Sequence, residues 1–167
     1  LAEMKDRVAK GIAAVPGEQF RLGWDNLPIW FQMGGLSKRF AMHKACLVAA
    51  TYAHAWAHPV NPEATDMLRE LARVYLSVYI NCGLEERVQT LKRTVDHYSL
   101  DGFVLHSDRS CKAYSLGQYE LARTLRDELD IPVLIIEADM NDVRMYAEEQ
   151  INARIDAFME TLLSRAA

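Results

Sequence analysis

The sequence predicts an α/β fold in which four parallel strands carry helices on both faces. Three observations point to it. Short apolar runs, rich in β-branched or aromatic residues, recur at Phe20–Trp24, Cys46–Thr51, Phe103–Leu105 and Ile131–Ile136. Stretches with helical periodicity separate these runs, and strands alternating with helices imply a parallel sheet joined by right-handed crossovers. Each run also empties into a loop dense in polar or aromatic side chains, as at the carboxyl edge of open α/β sheets.

The elements follow in order. Leu1, Met4, Val8, Ile12 and Val15 recur at helical spacing and predict a leading helix over 1–15, stopped by Pro16-Gly17. The chain thus starts without methionine inside an amphipathic pattern, as expected of the carboxyl-terminal part of a longer subunit. After the first strand, Asp25-Asn26 ahead of Pro28 is helix-start chemistry, because such side chains cap exposed N–H groups. The helix is expected over Ile29–Ala45, with a kink or a close backbone approach at Gly34-Gly35. The second strand leads into Tyr52 to Pro59, a loop rich in aromatics and histidines. Asn61-Pro62 is expected to open a long helix whose buried stripe is Met67, Leu68, Leu71, Val74, Tyr75, Val78 and Tyr79, stopped near Asn81-Cys82-Gly83. A helix from about Glu85 to Tyr98 carries Val88, Leu91 and Val95. The third strand is Phe103-Val104-Leu105, too short for a helix and followed by the polar row His106 to Lys112. A helix from Leu116 to Asp130, the fourth strand, the acidic loop Glu137 to Asp142 and a final helix over about Val143–Arg165 complete the chain. Four strands suit one small flavodoxin-like (Rossmann-like) domain over 1–167, with strand order 2-1-3-4 and a switch point between the first and third strands.

Composition narrows the partners. Half of the 167 residues are apolar, a quarter are charged and the net charge is -4. This leaves no basic stripe for nucleic acid. No apolar run approaches the roughly 20 residues that span a bilayer. Three cysteines with no close pair do not make a disulfide framework and fit a reducing, cytoplasmic setting.

A parallel sheet would gather the candidate chemistry at one edge: Trp24 and Asp25, Thr51 to His58, His106 to Lys112, and Glu137 to Asp142. The polar row reads either as an ordinary exposed loop or as a ligand site. Cys111, flanked by Arg109 and Lys112 near a helix start, has the surroundings that favour a thiolate, the form that ligates metals or attacks electrophiles. Cys46, at the amino-terminal end of its strand, and Cys82, at a helix end, read as structural thiols. His54 and His58 have an i, i+4 spacing but lack the Glu of a His-Glu-x-x-His motif and run into Pro59, which argues against zinc. Glu137 and Asp139 are either a carboxylate pair or helix-start partners. No phosphate-loop pattern is present.

His106-Ser-Asp-Arg-Ser-Cys-Lys-Ala-Tyr-Ser-Leu-Gly-Gln118, with Ile131-Pro-Val-Leu-Ile-Ile-Glu-Ala-Asp139, resembles the carboxyl-terminal domain of the 2-hydroxyacyl-CoA dehydratase and benzoyl-CoA reductase family. Arg21-Leu-Gly-Trp-Asp-Asn-Leu-Pro-Ile-Trp30, Ala50-Thr-Tyr-Ala-His-Ala-Trp56 and Tyr146 to Phe158 fit the same pattern. The resemblance implies a catalytic subunit holding a 4Fe–4S cluster through three cysteines, with Cys111 as the third ligand and the other two upstream. It implies a heterodimer with a homologous second subunit, an ATP-hydrolysing iron–sulfur activator and an acyl-CoA substrate that is dehydrated or reduced by a low-potential electron. Catalytic roles are then expected of His106 and Ser110. Trp24, Asp25, Tyr52, Trp56, Arg109, Lys112, Gln118, Glu137 and Asp139 are expected to line the substrate or tune the cluster. Gln118 and the Glu-Ala-Asp-Met run lean toward the reductase branch, with the dehydratase as alternative. A reading of another class is a cluster-free flavodoxin-like binding or assembly domain.

Overall fold

The computed structural model describes residues 1–166. Its centre is a four-stranded, all-parallel sheet of β1 (Phe20–Asp25), β2 (Ala45–Ala50), β3 (Gly102–Asp108) and β4 (Val133–Ala138), in the order β2-β1-β3-β4. This is the expected α/β class and strand order, with β1 and β3 adjacent at the switch point. One apolar layer joins Leu22, Trp24, Val104 and Ile136 to α2 (Met33–Met42) and α8 (Glu148–Ala166) through Leu36, Phe40, Ile155 and Met159. The other joins Phe103 and Leu105 to α5 (Leu84–Tyr98) and α7 (Gln118–Leu129) through Leu91, Val95, Leu121 and Leu125. Both faces are covered, so the strands read as continuous apolar runs. The β1–β2 register shifts between Leu22 and Gly23. A Cβ at Gly23 would lie 2.6 Å from the Phe103 ring, so glycine lets the sheet and its second layer close there.

Several boundaries differ from expectation, for physical reasons. The leading helix α1 spans only Ala2–Ala9 and has no buried residue; Gly11, at φ 65°, turns the chain away. The Ile29–Ala45 helix is a 3-10 turn at Trp30–Gln32 followed by α2, and Ala45 opens β2 instead. Asn61-Pro62 does not start a helix: Asn61 Oδ1 accepts the Glu63 N–H in a local turn. Asp66 is the cap of α4 (Met67–Leu76), its carboxylate accepting the Arg69 N–H at 3.0 Å. Of the stripe expected to be buried there, only Val78 and Tyr79 are, and both follow the helix; Leu68, Leu71 and Tyr75 are exposed. Thr51–His54 forms a helical turn, α3, in the expected loop. α6 (Lys112–Ser115) precedes α7, with Gly117 at φ 84° between them. A 3-10 turn at Val143–Met145 precedes α8.

No helix among the described residues is long and apolar enough to cross a membrane. All three cysteines are free thiols.

Candidate functional site

The polar row after Leu105 is not one loop. β3 continues through Asp108, so alternation of its side chains buries His106 and Asp108 (0% and 1% exposed) and leaves Ser107 half-buried. His106 Nδ1 donates to the Leu27 carbonyl at 2.7 Å, and its ring lies 5.9 Å from Trp24. Its Nε2 has no partner among the described residues. Burial holds the imidazole below its usual pKa, so the ring is neutral in the fold.

Asp25 and Asn26 do not cap a helix. Asp25 is fully buried at the end of β1, where Thr51 Oγ1 donates to its Oδ1 at 2.7 Å; the Asn26 N–H donates to the same hydroxyl. Asn26, at φ 81°, turns the chain and sends Nδ2 to the His106 carbonyl at 2.7 Å, where Gln118 Nε2 also donates at 2.7 Å. These amides replace the strand partner that β1 no longer supplies beyond Asp25. Trp24 is also buried, its indole N–H donating to Leu27. Trp24, Asp25 and Gln118 are therefore supports beneath the edge rather than surfaces open to a substrate. Asp25 Oδ2, Gln118 Oε1 and the hydroxyls of Tyr79 and Tyr114 are buried without partners among the described residues. Burial raises the pKa values of Asp25, Tyr79 and Tyr114.

Above this buried layer, the ends of β3 and β4 are tied together. The Arg109 N–H donates to the Ala138 carbonyl, and its guanidinium pairs with the exposed Glu137 carboxylate at 2.5 Å. Ser110 donates its hydroxyl to Asp139, whose other oxygen accepts the N–H groups of Asn141 and Asp142 at 2.9 and 2.8 Å. The Ser110 bond, with those two N–H groups, holds the Asp139 carboxyl below its usual range. The Ser110 N–H in turn donates to Asp108 Oδ1. Cys111 follows as the N-terminal flank of α6, half-buried against the layer of α5 and α7, beside the exposed Lys112. Tyr52 lies in an edge-to-face row with Trp30 and Trp56, and Trp56 is 62% exposed.

The structure brings Arg109, Ser110, Cys111, Glu137 and Asp139 to one edge. It leaves Cys46 at the far end of β2 and turns Cys82 Sγ toward the carbonyls of residues 76 to 78. His54 uses both ring nitrogens on Ala50 and Tyr98. Among the described residues no three His, Cys, Asp or Glu side chains converge as a metal site. The donor set at this edge thus offers one thiol to a metal cluster. Arg87, which the sequence reading passed over, is buried on α5 and donates to the Ala113 and Tyr114 carbonyls behind Cys111. Its signal was present: it falls four residues before Leu91, on the apolar stripe of its helix.

With this geometry in view, similarity gives the family. Residues 1–162 match the family described as 2-hydroxyglutaryl-CoA dehydratase, D-component. The chain belongs to this family. It is 26% identical over 162 residues to the lactoyl-CoA dehydratase subunit alpha of Anaerotignum propionicum, covering 96% of this chain and 38% of that protein. The (R)-2-hydroxyisocaproyl-CoA dehydratase alpha subunit of Clostridioides difficile is 28% identical over 166 residues, 99% of this chain and 40% of the relative. A benzoyl-CoA reductase subunit of Thauera aromatica is 27% identical over 165 residues, 95% and 38% respectively. The chain thus spans about two fifths of the length of the curated relatives it matches. Relatives bearing dehydratase and reductase names match at comparable identity, so similarity does not divide the branches.

Proposed function

We propose that this chain is the part of a catalytic subunit that acts on an acyl-CoA thioester by low-potential electron transfer, and that Cys111 contributes one thiolate to a 4Fe–4S cluster. The observation that carries the reading is the placement of Cys111. It flanks α6 at the carboxyl edge of the parallel sheet, beside the ordered Ser110–Asp139 and Arg109–Glu137 pairs, whereas Cys82, near the same turn, aims its Sγ at the carbonyls of residues 76 to 78. The one-thiol donor set fits one corner of such a cluster, and the remaining ligands come from outside the described residues. Arg109 and Lys112 flank Cys111 in the sequence, and positive charge on this turn suits the negative charge of a thiolate-bound cluster.

When bound, the cluster supplies single electrons at low potential. This chain's residues hold the geometry around it. Asp139 anchors Ser110, Asp108 fixes the Ser110 N–H, and together they set the start of the turn that presents Cys111. The neutral His106, buried beneath, is a rigid support, while Tyr52 and Trp56 offer an exposed aromatic face on the neighbouring loop. A second homologous subunit and an ATP-hydrolysing activator complete the proposed system. Reduction of an aromatic acyl-CoA and dehydration of a 2-hydroxyacyl-CoA are the two candidate reactions, since relatives bearing either name match at comparable identity. Gln118, buried and bonded to the His106 carbonyl, takes a supporting role in either reaction.

The test is iron and acid-labile sulfide in the anaerobically prepared complete subunit. Cys111→Ala is expected to lose the cluster and Cys82→Ala to keep it; equal iron in the two variants overturns the assignment. Assays with a 2-hydroxyacyl-CoA and with benzoyl-CoA, each with activator, then choose the reaction.

A further inference from the structure

The turn that presents Cys111 cannot hold its own shape. α6 has four residues, far below the length at which a helix sustains itself in water. Its backbone closes only the Cys111 and Lys112 carbonyls, onto Ser115 and Leu116. The Ala113 and Tyr114 carbonyls belong to the set a helix end leaves without intrahelical partners. Both are taken by one side chain: Arg87 donates from Nη2 to Ala113 at 2.8 Å and from Nη1 to Tyr114 at 3.3 Å. The same guanidinium donates from Nη2 to Ile80 at 3.1 Å and from Nε to Cys82 at 3.2 Å, serving the 3-10 turn at Tyr79–Asn81. The two turns also touch through their rings. Tyr79 stacks on Tyr114 at 5.7 Å and 28°, and Arg87 Cζ sits 5.3 Å from the Tyr79 centroid.

Arg87 is 6% exposed, and among the described residues no carboxylate forms an ion pair with it. A buried cation spent on four backbone carbonyls is costly to desolvate unless those carbonyls need it. A planar fork of five donors meets that need from one point; an ammonium, with three donors on a single atom, does not.

We propose that Arg87 is a positioning residue for the Cys111 turn, clamping α6 to the segment before α5 through four carbonyls and the stacked Tyr79–Tyr114 pair. Its catalytic meaning rests on the cluster-ligand reading of Cys111; the clamp itself does not. The test is peptide-mapped alkylation of each cysteine in the cluster-free complete subunit, with iodoacetamide as probe. Arg87→Lys is expected to speed alkylation of Cys111 about tenfold, the change in an opening equilibrium that losing a charge-assisted bond produces. Cys46, at the opposite end of the sheet, is expected to keep its native rate. An unchanged Cys111 rate, or an equal rise at Cys46 and Cys111 that marks general loosening, overturns the proposal. Tyr79→Leu removes the ring platform while leaving Arg87, and is expected to raise the Cys111 rate severalfold; a native rate there overturns it as well. After reconstitution, Arg87→Lys is expected to keep iron but alter the electron paramagnetic resonance line shape. Retention of iron by Cys111→Ala would refute the ligand reading and leave the alkylation result standing.

Discussion

Asp25 and His106 lie on adjacent strands, and burial acts on both to disfavour the charged form. For His106 the folded pKa is lowered, so the unfolded chain takes up a proton near 6.5 that the folded chain refuses. Stability is therefore present above pH 6.5 and falls as pH drops through that value toward the folded pKa. The melting temperature is expected to decline between pH 7 and 5. His106→Gln should flatten that slope while lowering the whole curve, because it leaves a cavity beside Trp24. An unaltered slope would contradict the assignment. Asp25 works in the opposite sense: its folded pKa is raised, so its contribution is present below about pH 3.8 and is lost as pH rises toward the folded value. Asp25→Asn keeps an acceptor for Thr51 and removes the charge. Its melting temperature relative to the native chain is expected to be higher at pH 7 than at pH 3.5, and a pH-independent difference would count against a buried carboxyl with a raised pKa. Neither burial was readable beforehand, since both residues sit in polar stretches; Thr51, Gln118, Tyr79 and Arg87 surround Asp25, and Trp24 and Leu27 meet the His106 ring, all from distant parts of the chain.

At the scale of elements, Gly117 separates α6 from α7 at φ 84°, where a Cβ would lie 3.2 Å from the Leu84 side chain. Gly117→Ala is expected to destabilise by about 1–2 kcal/mol, the cost of a left-handed non-glycine residue, as measured by urea unfolding. A native midpoint would show that the turn accepts another conformation. Strand identity and order were legible in the sequence because a fully covered parallel strand has to be apolar throughout, as Phe103-Val104-Leu105 is. Strand ends were not. β3 and β4 carry on into His106-Ser-Asp108 and Glu137-Ala138, because backbone pairing continues where side-chain hydrophobicity stops. The stripe from Met67 to Tyr75 has helical periodicity but remains largely exposed, and periodicity alone does not say what a face packs against.

Across the whole molecule, order is concentrated in the sheet and the helices that cover it. α1 and α4 contribute no buried residue, whereas β3 is buried at six of its seven positions. Amide hydrogen exchange is expected to be fast by local opening in α1 and α4 and slowest in β3 and α8; comparable protection in α4 and β3 would refute this division. The candidate site sits where this ordered centre meets its edge, and Cys111 was legible there from a short motif, while the Arg87 contacts became visible only in the folded chain. One feature of that edge can be watched directly. The His106 carbonyl accepts two side-chain amide bonds, from Asn26 and Gln118, each at 2.7 Å. Doubly bonded in this way, its stretching vibration should fall below that of ordinary strand carbonyls. Isotopic labelling of that single carbonyl would turn it into an infrared reporter of whether the strand ends are closed.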